Sequence, residues 1–75
     1  MPARWYNATY PKPVRTEYGC KVSWYSYRTK DEALFVAELA HEQGQWLEDA
    51  GFDFGYMMPG EIKQEDNGLW TVVIP

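Results

Sequence analysis

Hydrophobic and polar positions follow two different periods along this chain, and the points where the period changes divide it into elements. From Tyr18 to Arg28 the residues are strand formers, with Cys20, Val22 and Trp24 on one face and Lys21, Ser23, Tyr25 and Tyr27 on the other. From Lys30 the period is helical and runs to Ala50. Thr29 and Glu32 form a capping-box pair at its start, and Gly51 stands where a left-handed C′ residue belongs. One helical stripe holds Ala33, Val36, Ala37, Ala40, Gly44 and Leu47, mostly small residues that permit close approach to a sheet. Phe35, Leu39 and Trp46 make a second apolar flank, which predicts a further cover: either the N-terminal segment or another protein. Glu38, His41, Glu42, Gln45, Glu48 and Asp49 form the wet side, and Leu34 is the one misfit.

Alternation returns at Phe52, Phe54, Tyr56 and Met58, which predicts a second strand, interrupted by Pro59-Gly60 and continuing through Glu61 to Gln64. Asp66-Asn67-Gly68 is hairpin-turn chemistry, and Leu69 to Ile74 is a third strand. Residues 1–17 contain Pro2, Pro11 and Pro13 among Trp5, Tyr6 and Tyr10, which predicts an extended arm. A right-handed crossover through the helix makes the first two strands parallel, and the hairpin sets the third against the second. The expected fold is therefore α+β. It consists of an arm at 1–17 and one domain at 18–75, a three-stranded mixed sheet in the order 1-3-2 with the helix on one face. In this scheme Cys20 faces the helix, and Tyr25 and Tyr27 lie on the opposite, outer face.

Size changes how the aromatics are read. A chain of 75 residues is near the limit where one core offsets chain entropy, so its Trp and Tyr residues serve stability first. They also suit interfaces. Charge is sorted by position: residues 1–30 carry six bases against Glu17 (+5), and residues 31–75 carry ten acids against Lys63 (−9), together −4. Such sorting points to binding, because a field of one sign steers partners of the other. A single cysteine excludes an internal disulfide and suits a reducing compartment. No apolar run reaches the roughly 20 residues of a membrane span. Met1-Pro2-Ala3-Arg4-Trp5 lacks the apolar core of a secretory leader, so a cytoplasmic location is expected.

Candidate chemistry is sparse. Glu38 and His41 share a helical face at a spacing used in di-metal bundles, but those sites draw further ligands from other helices, and this chain has one. A solvated histidine among acids is the plainer account, and no cofactor is expected. Glu38/Glu42 and Glu48/Asp49 are surface acids rather than acid/base pairs, since catalytic carboxylates need burial or a cleft to shift them. Cys20 reads as a small buried hydrophobe, not a nucleophile. Asp53-Phe54-Gly55 matches a kinase tripeptide without the other kinase motifs. Arg4, Trp5, Tyr6, Tyr10, Lys12 and Arg15 interleave bases with rings, as single-stranded nucleic-acid surfaces do, but three cations beside an acidic remainder are a thin footprint.

The stretches Ser26-Tyr27-Arg28-Thr29-Lys30-Asp31-Glu32-Ala33 and Asp53-Phe54-Gly55-Tyr56-Met57-Met58-Pro59-Gly60-Glu61 resemble segments of small accessory proteins of tailed cyanophages. The likeness spans about residues 18–75. It implies a virus-encoded protein acting in the host cytoplasm by binding a host or viral protein. The strand-helix-strand-strand layout is also similar to half of a ferredoxin-like fold, and to SPOR domains without their second helix and fourth strand. The resulting expectation is a non-enzymatic protein-protein interaction module. Its contacts would be Trp5, Tyr6, Tyr10, Tyr25, Tyr27, Phe35, Leu39 and Trp46, beside an acidic face of Glu38, Glu42, Glu48 and Asp49. A second copy of the chain is one candidate partner. Single-stranded nucleic acid at the arm, and a metal or enzyme site at Glu38/His41, are the alternatives.

Overall fold

A computed structural model describes residues 10–75. In chain order the elements are β1 (Arg15–Tyr18), β2 (Ser23–Tyr27), α1 (Lys30–Asp49), β3 (Ile62–Gln64) and β4 (Trp70–Ile74). They form one α+β unit: a sheet in the order β1-β2-β4-β3, with α1 against one face. Every neighbouring pair is antiparallel, so the sheet is four-stranded and antiparallel rather than three-stranded and mixed. The three expected strands lie side by side with Trp70–Ile74 between the other two. The fourth strand comes from the stretch read as an arm.

That extra strand has a local cause. Pro13 ends the proline-rich stretch, and Thr16 and Tyr18 favour extended backbone. The Val14 N–H donates to the Ser26 carbonyl at 2.8 Å, and the Gly19 N–H donates to the Val22 carbonyl at 2.8 Å, closing a tight hairpin. Cys20 lies exposed in this turn, which corrects its expected place beneath the helix.

The helix begins as its sequence requires. Thr29 has extended backbone, and its Oγ1 accepts from the Glu32 N–H at 3.3 Å. The Thr29 hydroxyl in turn donates to Glu32 Oε1 at 2.9 Å, so the carboxylate closes the cap through the side chain rather than the Thr29 amide. At the far end, Gly51 N–H donates to the Glu48 carbonyl and Phe52 N–H to the Leu47 carbonyl, both at 2.9 Å, the paired bonds of a Schellman cap.

Register decides which side of β2 meets the helix. Tyr25 and Tyr27 pair with Val72 and Trp70, and these alternate positions pack with Ala33, Val36, Ala37 and Ala40. The expected phase, with Cys20 and Trp24 toward the helix, is reversed. Both faces of the 22–27 run are equally apolar, so alternation alone could not choose. On the helix side the Tyr27 hydroxyl finds a partner and the Tyr25 ring finds an aromatic neighbour. Tyr27 donates to the Pro11 carbonyl at 2.8 Å, and Tyr10 packs edge-on to Tyr25 at 6.3 Å and donates to Gln43 Oε1 at 3.2 Å. Burial pushes the Tyr27 and Tyr10 hydroxyls up from their ordinary value, with Tyr25 adding to both shifts.

Residues 52–58 are not a strand. Asp53 Oδ1 accepts from the Gly55 N–H at 2.8 Å, an Asx turn that bends the chain, and Phe54 buries in a second cluster with Val22 and Val73. The chain then returns over α1, where a Cβ at Gly44 would stand 2.7 Å from the Cβ and Cγ of Pro59. Gly44 is therefore the notch that seats Pro59. Beyond it, Gly60 N–H donates to the Val73 carbonyl (2.8 Å) and Val73 N–H to the Glu61 carbonyl (3.0 Å), which starts the β3 ladder. The 66–68 turn forms as expected, with Leu69 N–H donating to Asn67 Oδ1 at 3.0 Å. No helix among the described residues is long and apolar enough to cross a membrane.

Candidate functional site on the open sheet face

Opposite the helix, the register lines up two rows of side chains across the sheet. The first runs Arg15, Ser26, Thr71, Lys63; the second runs Glu17, Trp24, Val73, with Glu61 joined to Val73 by the ladder bond. The two rows carry opposite charge at their ends. All of these residues except the buried Ser26, together with Met57 and residues 62–67, line a groove of about 630 Å³.

The first row is filled by the chain itself. Glu65, just beyond β3, lays its carboxylate across it. Oε2 accepts from the hydroxyls of Ser26 (2.7 Å) and Thr71, and Oε1 is paired with Arg15. Ser26, only 1% exposed, is thereby satisfied beneath a carboxylate. The hydrogen bonds from Thr71 and Ser26, and the nearby Arg15 charge, hold the Glu65 carboxyl below its ordinary value.

The second row is open only in part, since Val73 is buried in the cluster with Val22 and Phe54. Trp24 is half-buried, and its ring lies over the β1–β2 turn, where a Cβ at Gly19 would come within 2.7 Å of it. Val73 is buried beside it, while Glu17 and Glu61 at the two ends are exposed. The row is an apolar, aromatic floor between two carboxylates. A cation with an aliphatic stem matches both features, because indole is the best aromatic face for a cation and long basic side chains pack their stems on apolar surface.

The residues expected to form contacts are dispersed. Trp5 and Tyr6 lie outside the described residues. Tyr10 and Tyr25 are half-buried between sheet and helix, and Tyr27 is 1% exposed, so no outer tyrosine face exists on β2. Leu39 is also buried: it sits between Val36 and Gln43, on the flank that Tyr10 reaches. Phe35 and Trp46 remain about half exposed on the helix flank. Of the acidic face, Glu38 and Asp49 are exposed and Glu42 and Glu48 half-buried, with Gln45 donating to Asp49 at 3.4 Å. Among the described residues, no group of three or more His, Cys, Asp and Glu gathers in a form that could hold a metal ion. Tyr10 and Arg15, two members of the basic aromatic arm, are engaged within the fold.

Trp24, Glu17 and Glu61 were not singled out from the sequence. Finding them requires the strand phase and the β1 pairing, which only the hairpin register supplies. Comparison with family models, with curated proteins and with solved structures finds no match.

Proposed function

We propose that this chain is a non-enzymatic protein-interaction module that takes a basic side chain of its partner on the open sheet face. The row Glu17–Trp24–Val73–Glu61 carries this reading. It offers an aromatic floor with an acid at either end, next to a row whose equivalent space is already filled by Glu65. The complement of this row is a lysine or arginine of a partner protein, its stem on Trp24 and its head at one of the two carboxylates. The net charge of −4, with Glu38 and Asp49 exposed on the far side of the molecule, favours approach by a basic partner in general.

The test is an amide- and indole-resolved NMR titration with a short arginine-alanine peptide, and with its glutamate-alanine counterpart as control. Shifts centred on the Trp24 indole and on Val73 and Glu61 are expected with the basic peptide only, and Glu61→Lys should remove them. Shifts confined to other surfaces, or an equal response to the acidic peptide, would reject the reading.

A further inference from the structure

We infer that the outer edge of β1 pairs with the same edge of a second copy, antiparallel about a two-fold axis centred on Thr16. This extends the interaction reading to the chain itself and uses the backbone edge of β1, whose Arg15 and Glu17 side chains also belong to the two rows of the groove. Among the described residues, β1 has a neighbour on one side only, so its other side is a sheet edge.

Backbone direction limits the possible registers. The Gly19 N–H points at β2, where it donates to Val22. Backbone groups alternate along a strand, so Glu17 also turns its N–H and C=O to β2, while Thr16 and Tyr18 turn theirs outward; Val14 departs from the alternation, because its N–H donates inward to the Ser26 carbonyl. A two-fold pairing must therefore set even positions against even ones. Three such registers overlap the strand well. Centring on Arg15 puts arginine against arginine, and centring on Glu17 puts glutamate against glutamate; like charges directly opposite are destabilising. Centring on Thr16 puts Arg15 opposite the partner's Glu17, and Glu17 opposite the partner's Arg15. It also sets Thr16 against its own copy as a hydrogen-bonded pair. Both kinds of cross-strand pair are favourable.

The same register brings exposed apolar residues to matching positions. Tyr18 is 79% exposed and Val14 49% exposed, and each stands opposite the other across the axis. The edge is thus self-complementary in charge, in apolar surface and, at Thr16, in hydrogen-bonding direction, which is what an isologous interface demands. Four residues make a small contact, so the dimer belongs to the weak, concentration-dependent class.

Sedimentation equilibrium of the full chain with Cys20→Ser should show the mass rising from 8.8 kDa toward twice that value with concentration. Glu17→Lys, which faces each Arg15 with a cation, should weaken the association about tenfold. Thr16→Cys in the Cys20→Ser background should form a disulfide dimer under mild oxidation, because opposed hydrogen-bonded positions lie about 5.5 Å apart between Cα atoms. Tyr18→Cys should not, since the two copies of that position are four residues apart in this register. A parent that stays monomeric overturns the inference and leaves the edge to residues 1–9 or to a strand of another protein. A dimer indifferent to Glu17→Lys, or cross-linked through position 18, overturns the register. A monomer that still binds the basic peptide refutes edge pairing alone, and a dimer that ignores the peptide refutes the groove reading alone.

Discussion

Replacing Gly44 by alanine in α1 sets two well-characterised effects against each other. Glycine in a helix interior is less favourable than alanine by about 1 kcal/mol, so helix propensity alone predicts stabilisation. The structure predicts the reverse. The new Cβ would stand 2.7 Å from both Cβ and Cγ of Pro59 and 3.2 Å from its Cδ. Carbon atoms pack at about 3.5–4.0 Å, so the proline ring would have to retreat by roughly 1 Å. It has little room to do so. Pro59 is buried, its ring is rigid, and the next residue is tied to β4 by the Gly60–Val73 hydrogen bond of 2.8 Å. Overpacking of this kind costs about 1–3 kcal/mol. The clash therefore exceeds the propensity gain, leaving Gly44→Ala less stable by about 1 kcal/mol, and never more stable than the parent. For a domain of this size that lowers Tm by roughly 4–8 °C, readable by far-UV circular dichroism. Pro59→Gly removes the obstacle, and in that background Gly44→Ala should stabilise by about 1 kcal/mol. Equal signs in the two backgrounds would show that the Gly44–Pro59 contact does not govern the site.

Two further outcomes follow from the polar contacts. Tyr27→Phe deletes the bond to the Pro11 carbonyl and should cost about 1 kcal/mol, seen as a lower urea midpoint at unchanged slope; no change would mean that this bond does not anchor residues 10–14. The raised Tyr27 hydroxyl also implies stability that is intact below its ordinary value of 10.0 and is lost as pH climbs toward the folded value. Glu65 behaves in the opposite sense. Its lowered carboxyl contributes stability present above the ordinary value of 4.5 and lost as pH falls through the folded value, so Glu65→Gln should flatten the acid limb of a midpoint-versus-pH curve. An identical acid limb in both proteins would remove Glu65 from the account.

How much could be read in advance depended on whether the signal was local. Thr29 and Glu32 announced the helix start, Gly51 its end and Asp66-Asn67-Gly68 the hairpin, because each motif satisfies its own backbone within a few residues. The neighbour order of the three expected strands was also legible, since the Val72-Val73-Ile74 run demanded a central place. Non-local choices were not. Arg15-Thr16-Glu17-Tyr18 has no apolar face, and its strand exists only because β2 lies beside it. The alternation at Phe52–Met58 resembled a strand, but the Asx turn at Asp53 and the docking of Pro59 on Gly44 use those residues otherwise. Facing of β2 turned on non-local partners: the Pro11 carbonyl that accepts from Tyr27 and the Tyr10 ring that packs on Tyr25. The open row was hidden for the same reason, since Trp24 joins it only once that phase is set.

The strand that unites the sheet is the last element in chain order. β2 and β3 each need β4 as their partner, and α1 packs chiefly on it. During synthesis, the N-terminal hairpin and the helix must therefore wait with their oily sides uncovered until Trp70–Ile74 has left the ribosome exit tunnel. Folding of this unit is consequently gated by its fourth strand, and fragments that stop short of Trp70 leave the apolar sides of β2 and α1 uncovered.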